Sequence, residues 1–473
     1  MSIRRINRVV FVLPILCALL FSINHSKAQV SLKPLDLARM PEGASNVRGT
    51  AQYLINRDGF ARDGLQLGRS LFHQDFAKVK DSGCNGIPCS LRDSKATRAG
   101  PNSLFEASSC ATCHSTPDGS AGFGPRDQNS FTNGNAIRTP DMFGAGLIQE
   151  LAIEATEDLK RADASHAPHV TANGVNYDQG LGIGNRGSVD RDLVVRPFGR
   201  KGVESHVRAF ASRAAFKHLG IQTQDAFQCP DGDKDGDGRC DGPIEQGIDP
   251  DSDGVSDELT QGGLSLLEHY LINYPVPGRG PITSEVRRGE QIFSSIGCAV
   301  CHRPEMRVRK DPRIEHISVF WNPETRRYEA ERRLQFHLVD DGYLDPDRRR
   351  PVQLVVANRQ PFTVALYADL KRHDMGPAMS DGYAEEGVAR NVFITRPLWG
   401  TGSYKSFLHD GSAVSIEEAI LRHGGEAQSA RQKFAALSSR DRGWLSAFLK
   451  SLVLFSVEDV LTAKIPITKG DVP

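Results

Sequence analysis

Cys110-Ala-Thr-Cys113-His114 and its echo Cys298-Ala-Val-Cys301-His302 decide how this chain is read. Each is a C-x-x-C-H, the attachment signature of c-type haem. Two thiols one short turn apart can each form a thioether to a vinyl group of the porphyrin. The histidine that follows is then held beneath the iron as its proximal ligand. A lone C-x-x-C is a weak signal, because redox pairs and zinc sites share it. Followed at once by His, twice in one chain, it points to two covalently bound haem c groups. Two exposed disulfides or half zinc sites are the other reading.

The 473 residues are enough for two or three domains. Charge is balanced, 58 basic residues against 58 acidic, so nothing argues for nucleic acid. A hydrophobic content of 39% and 45 glycines fit a soluble, loop-rich globule, and 7% aromatics suit a core that is partly porphyrin. Residues 1–28 read as a signal peptide. Arg4, Arg5 and Arg8 precede an apolar run from Val9 to Phe21, and Ser26-Lys-Ala28 offers a cleavage site. Cys17 follows Leu16 rather than a small residue, which argues against a lipid anchor. No later stretch reaches the ~20 apolar residues of a span, so the mature chain is expected in the periplasm without an integral membrane segment.

The two haem motifs sit in repeated surroundings. Gly68-Arg-Ser-Leu71-Phe72 lies ahead of the first and Gly289-Glu-Gln-Ile292-Phe293 ahead of the second. Arg138-Thr-Pro140-Asp-Met142-Phe143-Gly144 and Arg396-Pro397-Leu398-Trp399-Gly400 follow them. The economical reading is a mainly α fold of two tandem cytochrome c-like haem domains with long loops, at 29–275 and 276–473. Tyr274-Pro-Val-Pro-Gly-Arg-Gly-Pro281 is the linker. Thr283 or Ser284 can cap the helix that delivers Cys298, and Ser439 can start one carrying Trp444, Leu445, Phe448, Leu449 and Leu452 on one side. Residues 303–390 read as a long insertion between the second motif and its Pro turn, with strand-like runs such as Val352–Val356.

An Asp-rich insert spans 229–262. Asp233, Asp235, Asp237 and Asp241 fall as D-x-D-x-D-G-x-x-D, and Asp249, Asp251, Asp253 and Asp257 repeat the pattern. Alternate carboxylates on a tight loop can converge on calcium, and the Gly permits the turn. The pattern resembles the calcium loops of thrombospondin type-3 repeats. A solvated acidic loop is the alternative. Four further cysteines fall in close pairs, Cys84/Cys89 and Cys229/Cys240. Export favours a disulfide in each, with free thiols as the alternative.

Tyr367-Ala-Asp-Leu-Lys-Arg-His373-Asp-Met375-Gly, Phe407-Leu-His409-Asp-Gly411 and His423-Gly-Gly-Glu426-Ala, with the Arg396 turn, strongly resemble the di-haem oxidoreductase family. That family is similar to the bacterial di-haem cytochrome c peroxidases. In those peroxidases a His-x-Gly motif is followed fourteen residues later by the sixth ligand of the C-terminal haem, and here that position is His423. Ser415-Ile-Glu-Glu418 is a capping box, Ile416, Ile420 and His423 share a helix face, and Gly424-Gly425 stops the helix. A histidine there can also bind the carbonyl end of its own helix, and Met375 and His373 are rival ligands. The first haem lacks an obvious partner among Met142, His73, His166, His169 and His206, which leaves its iron open and reactive.

The resemblance further implies a carboxylate near the reactive iron to move a proton, for which Glu150 is the candidate. It implies a tryptophan between the haems, where Trp399 is the available substitute; core packing is the plainer role. The expected protein is a periplasmic di-haem peroxidase-like oxidoreductase. It would reduce hydrogen peroxide or another small oxidant with electrons from a small donor protein, a cytochrome c or cupredoxin. A non-catalytic electron-transfer cytochrome and an oxygenase on an organic substrate are the alternatives.

Overall fold

The computed structural model describes residues 68–69, 71–74, 109–114, 126–127, 137–163, 169–172, 175–178, 189–190, 192–219, 221, 223, 259, 261–272, 277, 279–309, 316–322, 327–334, 354–355, 362–385 and 387–454. The signal segment, both Cys84/Cys89 and Cys229/Cys240, the eight aspartates assigned to calcium, and His166 lie outside them.

Helices carry the core. They are α1 (Cys110–Cys113), α2 (Ala145–Asp163), α3 (Val207–Ala214), α4 (Gln261–Ile272), α5 (Ser284–Ser295), α6 (Ile416–Arg422), α7 (Gln428–Ala435) and α8 (Ser439–Lys450). The strands are short and antiparallel: β1 (Arg126–Asp127) with β2 (Ile137–Arg138), and β3 (His169–Ala172) with β4 (Val175–Asp178). The long stretch after the second haem motif supplies the rest: β5 (Met306–Val308), the hairpin of β6 (His316–Asn322) and β7 (Arg327–Leu334), β8 (Leu354–Val355), β9 (Phe362–Val364) and β10 (Arg372–Asp374). Strand β11 (Val392–Ile394) closes on β10, and β5, β9 and β8 form one sheet in that order.

Local chemistry explains the helix ends. Thr283, not Ser284, caps α5, its Oγ1 accepting from Val286 N at 3.2 Å. Ser438 caps α8, one residue earlier than expected, accepting from Asp441 N at 3.1 Å. Ser415 caps α6, accepting from Glu418 N at 3.1 Å, while the Glu418 carboxylate reaches back to Val414 N at 2.9 Å. Each side-chain oxygen satisfies a donor that the helix leaves unpaired.

One apolar cluster runs through both halves and includes Leu71, Phe72, Leu151, Tyr270, Phe293, Trp399 and Phe448. Within it the same crossing occurs twice. The helical turn at 68–72 lies so close to α4 that a Cβ on Gly68 would sit 2.2 Å from Leu266 O, and Phe72 packs on Tyr270 with ring centroids 5.5 Å apart. Helix α5 meets α8 in the same way: a Cβ on Gly289 would sit 2.0 Å from Trp444 O, and Phe293 packs on Phe448 at 5.2 Å. In each case the phenylalanine faces the histidine of the neighbouring C-x-x-C-H, Phe72 to His114 and Phe293 to His302, both at 6.3 Å. Backbone carbonyls cannot rotate out of the way, so a side chain at either glycine must push the helices apart. Gly289→Ala is expected to lower stability by about 1–3 kcal/mol, measured by denaturant unfolding of the haem-loaded protein.

Candidate haem sites

At the first site, Ser109 caps the turn of α1 through its Oγ, which accepts from Thr112 N at 3.2 Å. The turn closes when His114 N donates to Cys110 O at 2.9 Å. The His114 ring then lies with Nδ1 3.1 Å from Pro140 O. At the second site, Gly297 takes a left-handed φ of 99° to start the turn Cys298–Val300, and His302 N donates to Cys298 O at 3.0 Å. His302 Nδ1 lies 3.1 Å from Tyr367 O. A carbonyl can only accept, so each Nδ1 carries the proton and each Nε2 keeps its lone pair. Burial pushes both imidazoles down to about 4, which leaves them neutral, the form that binds metal. None of the four motif cysteines is in a disulfide. The residues therefore fit two haems: paired thiols, and a proximal histidine oriented by a partner behind it.

The second acceptor corrects one expectation. Pro140, in the turn after the first motif, is the acceptor for His114, whereas the acceptor for His302 is Tyr367, inside the stretch read as an insertion, and not Pro397 of the second turn. That stretch is part of the haem site.

His423 ends α6 with extended backbone, φ −61° and ψ 125°. Its Nδ1 is 2.7 Å from Ala419 O, and the charge of His423 bears on His302. The helix carbonyl engages Nδ1, so the bond to its own helix does not use Nε2. His373 is a different case. Asp369 Oδ2 lies 2.9 Å from its Nε2, and Glu426 Oε2 lies 2.7 Å from its Nδ1. Burial opposes its charge, but hydrogen bonds with Asp369, Cys301 and Glu426 push its pKa up to about 12. Both ring nitrogens of His373 are thus engaged by carboxylates.

Other predicted residues fall as follows. Glu150 is 1% exposed on α2, so it is not the helix-surface residue its type suggests. His73 follows Phe72, its ring 5.5 Å from the phenylalanine. His206 precedes α3 with Nδ1 2.7 Å from Ser205 Oγ. Met142 is half-buried against the core, and His169 lies in β3. Trp399 is buried between the loops that hold the two histidines. Its Nε1 donates to Ala365 O at 2.8 Å, two residues before Tyr367, and a Cβ on Gly144 would sit 2.4 Å from its ring.

Sequence reasoning passed over His218 and under-read Arg396. His218 lies in a π-helical turn, Ala215–Leu219, and its charge bears on His114 as that of His423 bears on His302. Such turns recur at functional sites, but a π-turn leaves no residue pattern to find.

Residues 351–452 match the model of the family described as "Di-haem oxidoreductase, putative peroxidase". The resemblance read from the motifs at Tyr367, Arg396, His409 and His423 is thereby borne out over that stretch. No curated protein matches the chain. Among solved structures, hydrazine synthase of Kuenenia stuttgartiensis is 15% identical with a TM-score of 0.32, covering 82% of this chain and 92% of that one. A MauG-like protein associated with microbial copper homeostasis is 14% identical with a TM-score of 0.32, covering 85% and 91%. The diheme peroxidase BthA from Burkholderia thailandensis is 12% identical with a TM-score of 0.34, covering 82% and 86%. Likenesses this distant bear no argument. Among the described residues no helix is long and apolar enough to cross a membrane.

The His373 clamp has a pH signature. Its pKa in the folded chain lies above the ordinary 6.5, so the linked stability is fully present below pH 6.5 and is lost as pH climbs toward about 12. His373→Gln should cost about 1.5–3 kcal/mol in mild acid, and the gap from wild type should narrow steadily above neutrality in denaturant titrations.

Proposed function

We propose that the chain is a periplasmic di-haem c-type oxidoreductase that reduces hydrogen peroxide at its first haem, with electrons relayed through the second from a small donor protein. The observation that carries this reading is the repeated Nδ1–carbonyl bond at 3.1 Å behind both C-x-x-C-H histidines, joined to the family match over 351–452. A haem iron with an open position can activate peroxide, and one with two strong protein ligands exchanges electrons.

This chain's own residues divide the work. Cys110 and Cys113 anchor the first haem, and Cys298 and Cys301 the second, in two tandem cytochrome c-like domains. Pro140 and Tyr367 hold the proximal rings in one tautomer. His423 offers Nε2 as sixth ligand at the second site. Glu150 is assigned the proton transfer at the first site, where peroxide takes up two electrons and two protons to give two waters. Its enclosure on α2 supports the role, since a proton carrier there is shielded from bulk water. Trp399 is assigned the electron relay because it touches both proximal loops. Calcium on the Asp-rich insert and the two disulfides complete the proposal as structural braces.

One observation favours a second reading. If His218 closes the first iron as His423 closes the second, the protein is an electron-transfer cytochrome. EPR of the ferric protein decides between them. The peroxidase reading expects one high-spin and one low-spin signal, the former perturbed by cyanide, together with peroxide turnover by a reduced cytochrome. Two low-spin signals indifferent to cyanide would overturn it. His423→Ala is expected to abolish the low-spin signal while both haems stay attached. Trp399→Phe is expected to slow electron transfer between the haems in stopped-flow traces without altering either signal.

A further inference from the structure

Three buried cations elsewhere in the described chain are heavily bonded, and a fourth, Arg200, is ion-paired with Asp381 and Glu385 although its guanidinium nitrogens make no hydrogen bond. Lys201 Nζ donates to Ala389 O at 3.1 Å, Arg390 O at 2.8 Å and Val392 O at 2.9 Å, with Asp381 Oδ2 at 3.1 Å. Arg372 donates to Asp190 Oδ2 at 2.9 Å, Lys201 O at 3.0 Å and Gly202 O at 2.6 Å. Arg208 pairs with Glu268 and Ser265. This is the expected pattern, because a charge taken out of water needs partners.

Arg396 breaks it. This side chain is half-buried, and burial disfavours its charge. Among the described residues it has no hydrogen bond and no ion pair. The charges that bear on it are Asp141, Tyr404 and Arg138. Tyr404 donates to Asp141 Oδ2 at 2.5 Å and to Trp399 O at 3.0 Å, and the Arg138 guanidinium lies 4.1 Å over the Tyr404 ring. Burial and Asp141 keep the phenol neutral. The cluster is also at the first haem site: Asp141 follows Pro140, whose carbonyl holds His114, and the charge of Arg396 bears on His114.

We propose that Arg396, with Arg138 beside it, binds a propionate carboxylate of the first haem, so that the C-terminal half of the chain supplies the anionic anchor for the haem of the N-terminal half. This rests on the reading that Cys110 and Cys113 carry a haem. A planar fork of donors suits a carboxylate bound through two oxygens. Arg396 reaches the site because Trp399, three residues on, is wedged between Gly144 and Ala365.

The test uses the full-length haem-loaded protein and its Arg396→Gln, Arg396→Lys and Arg138→Gln variants. Haem content by pyridine haemochrome and peptide mass at Cys110 and Cys113 come first, and a bare first motif would fail the underlying reading by itself. With both haems in place, Arg396→Gln should shift the propionate bending band of one haem in the resonance Raman spectrum. It should also lower the midpoint potential of that haem, since a lost positive charge favours ferric iron. Arg396→Lys should restore most of the potential but not the band. Should Arg396→Gln fail to fold, Arg138→Gln, a half-buried position, should move the same band and potential in the same direction. Unchanged bands and potentials in the glutamine variants overturn the proposal. So does a first-haem spectrum that titrates with inorganic phosphate in wild type but not in Arg396→Gln, which would make the cluster a site for a free anion.

Discussion

The rest of the molecule depends on one short hydrogen bond made twice, from an imidazole Nδ1 to a backbone carbonyl. The C-x-x-C turn delivers a histidine, but the turn alone leaves its ring free to spin about two side-chain torsions. A carbonyl at 3.1 Å removes that freedom and picks the tautomer whose Nε2 can take iron. The helix crossings serve the same end. Phe72 and Phe293 each face the histidine at 6.3 Å, and each is placed by a helix that a glycine lets approach its partner.

At the second site the carbonyl is held under strain. Tyr367 has φ 52°, and Leu370 three residues later has φ 58°. A left-handed backbone disfavours non-glycine residues, and such positions persist where the surroundings over-determine them. Tyr367 is pinned accordingly. Its hydroxyl donates to Glu290 Oε1 at 2.5 Å, its ring packs edge-on against Phe293 and Phe448, and Glu290 is held by Arg279 at 2.8 Å. The side chain clamps the residue from α5 and α8 so that its backbone can face His302. At the first site proline does this with no side-chain clamp, because its ring already fixes φ.

That contrast explains what the amino-acid sequence reveals and what it hides. The haem motifs, the caps at Thr283 and Ser415 and the Gly-x-x-x-Phe repeats are side-chain signals acting over a few residues, and they were legible, while the Ser438 cap was placed one residue late. Pro140 was legible because proline marks its own turn. Tyr367 was not, since the functional atom is a carbonyl that every residue owns. His423 was singled out by spacing and family likeness, and only geometry shows that its bond to Ala419 O leaves Nε2 unused. Long-range charge pairing was also hidden: Asp369 and Glu426 close on His373 from 4 and 53 residues away, and nothing local sets them apart as its partners. Arg396 stood in a quoted motif, and its chemistry appears only when its partners fail to.

The two sites differ in charge, and the difference has a direction. At the second site Asp369 and Glu426 are balanced by the His373 imidazolium and Lys371. At the first, Arg138 and Arg396 stand against Asp141, an excess of one positive charge. Both haems bring the same propionates, so these protein charges set the contrast. Negative surroundings favour ferric iron and lower a potential; positive surroundings favour ferrous iron and raise it. A second imidazole from His423 would lower the second haem further, because nitrogen donation stabilises the ferric state. Under the proposed assignment electrons therefore run downhill from the second site to the first, toward the iron left open to peroxide. A sequence of unequal sites in the reverse order would hold electrons where no oxidant can reach them.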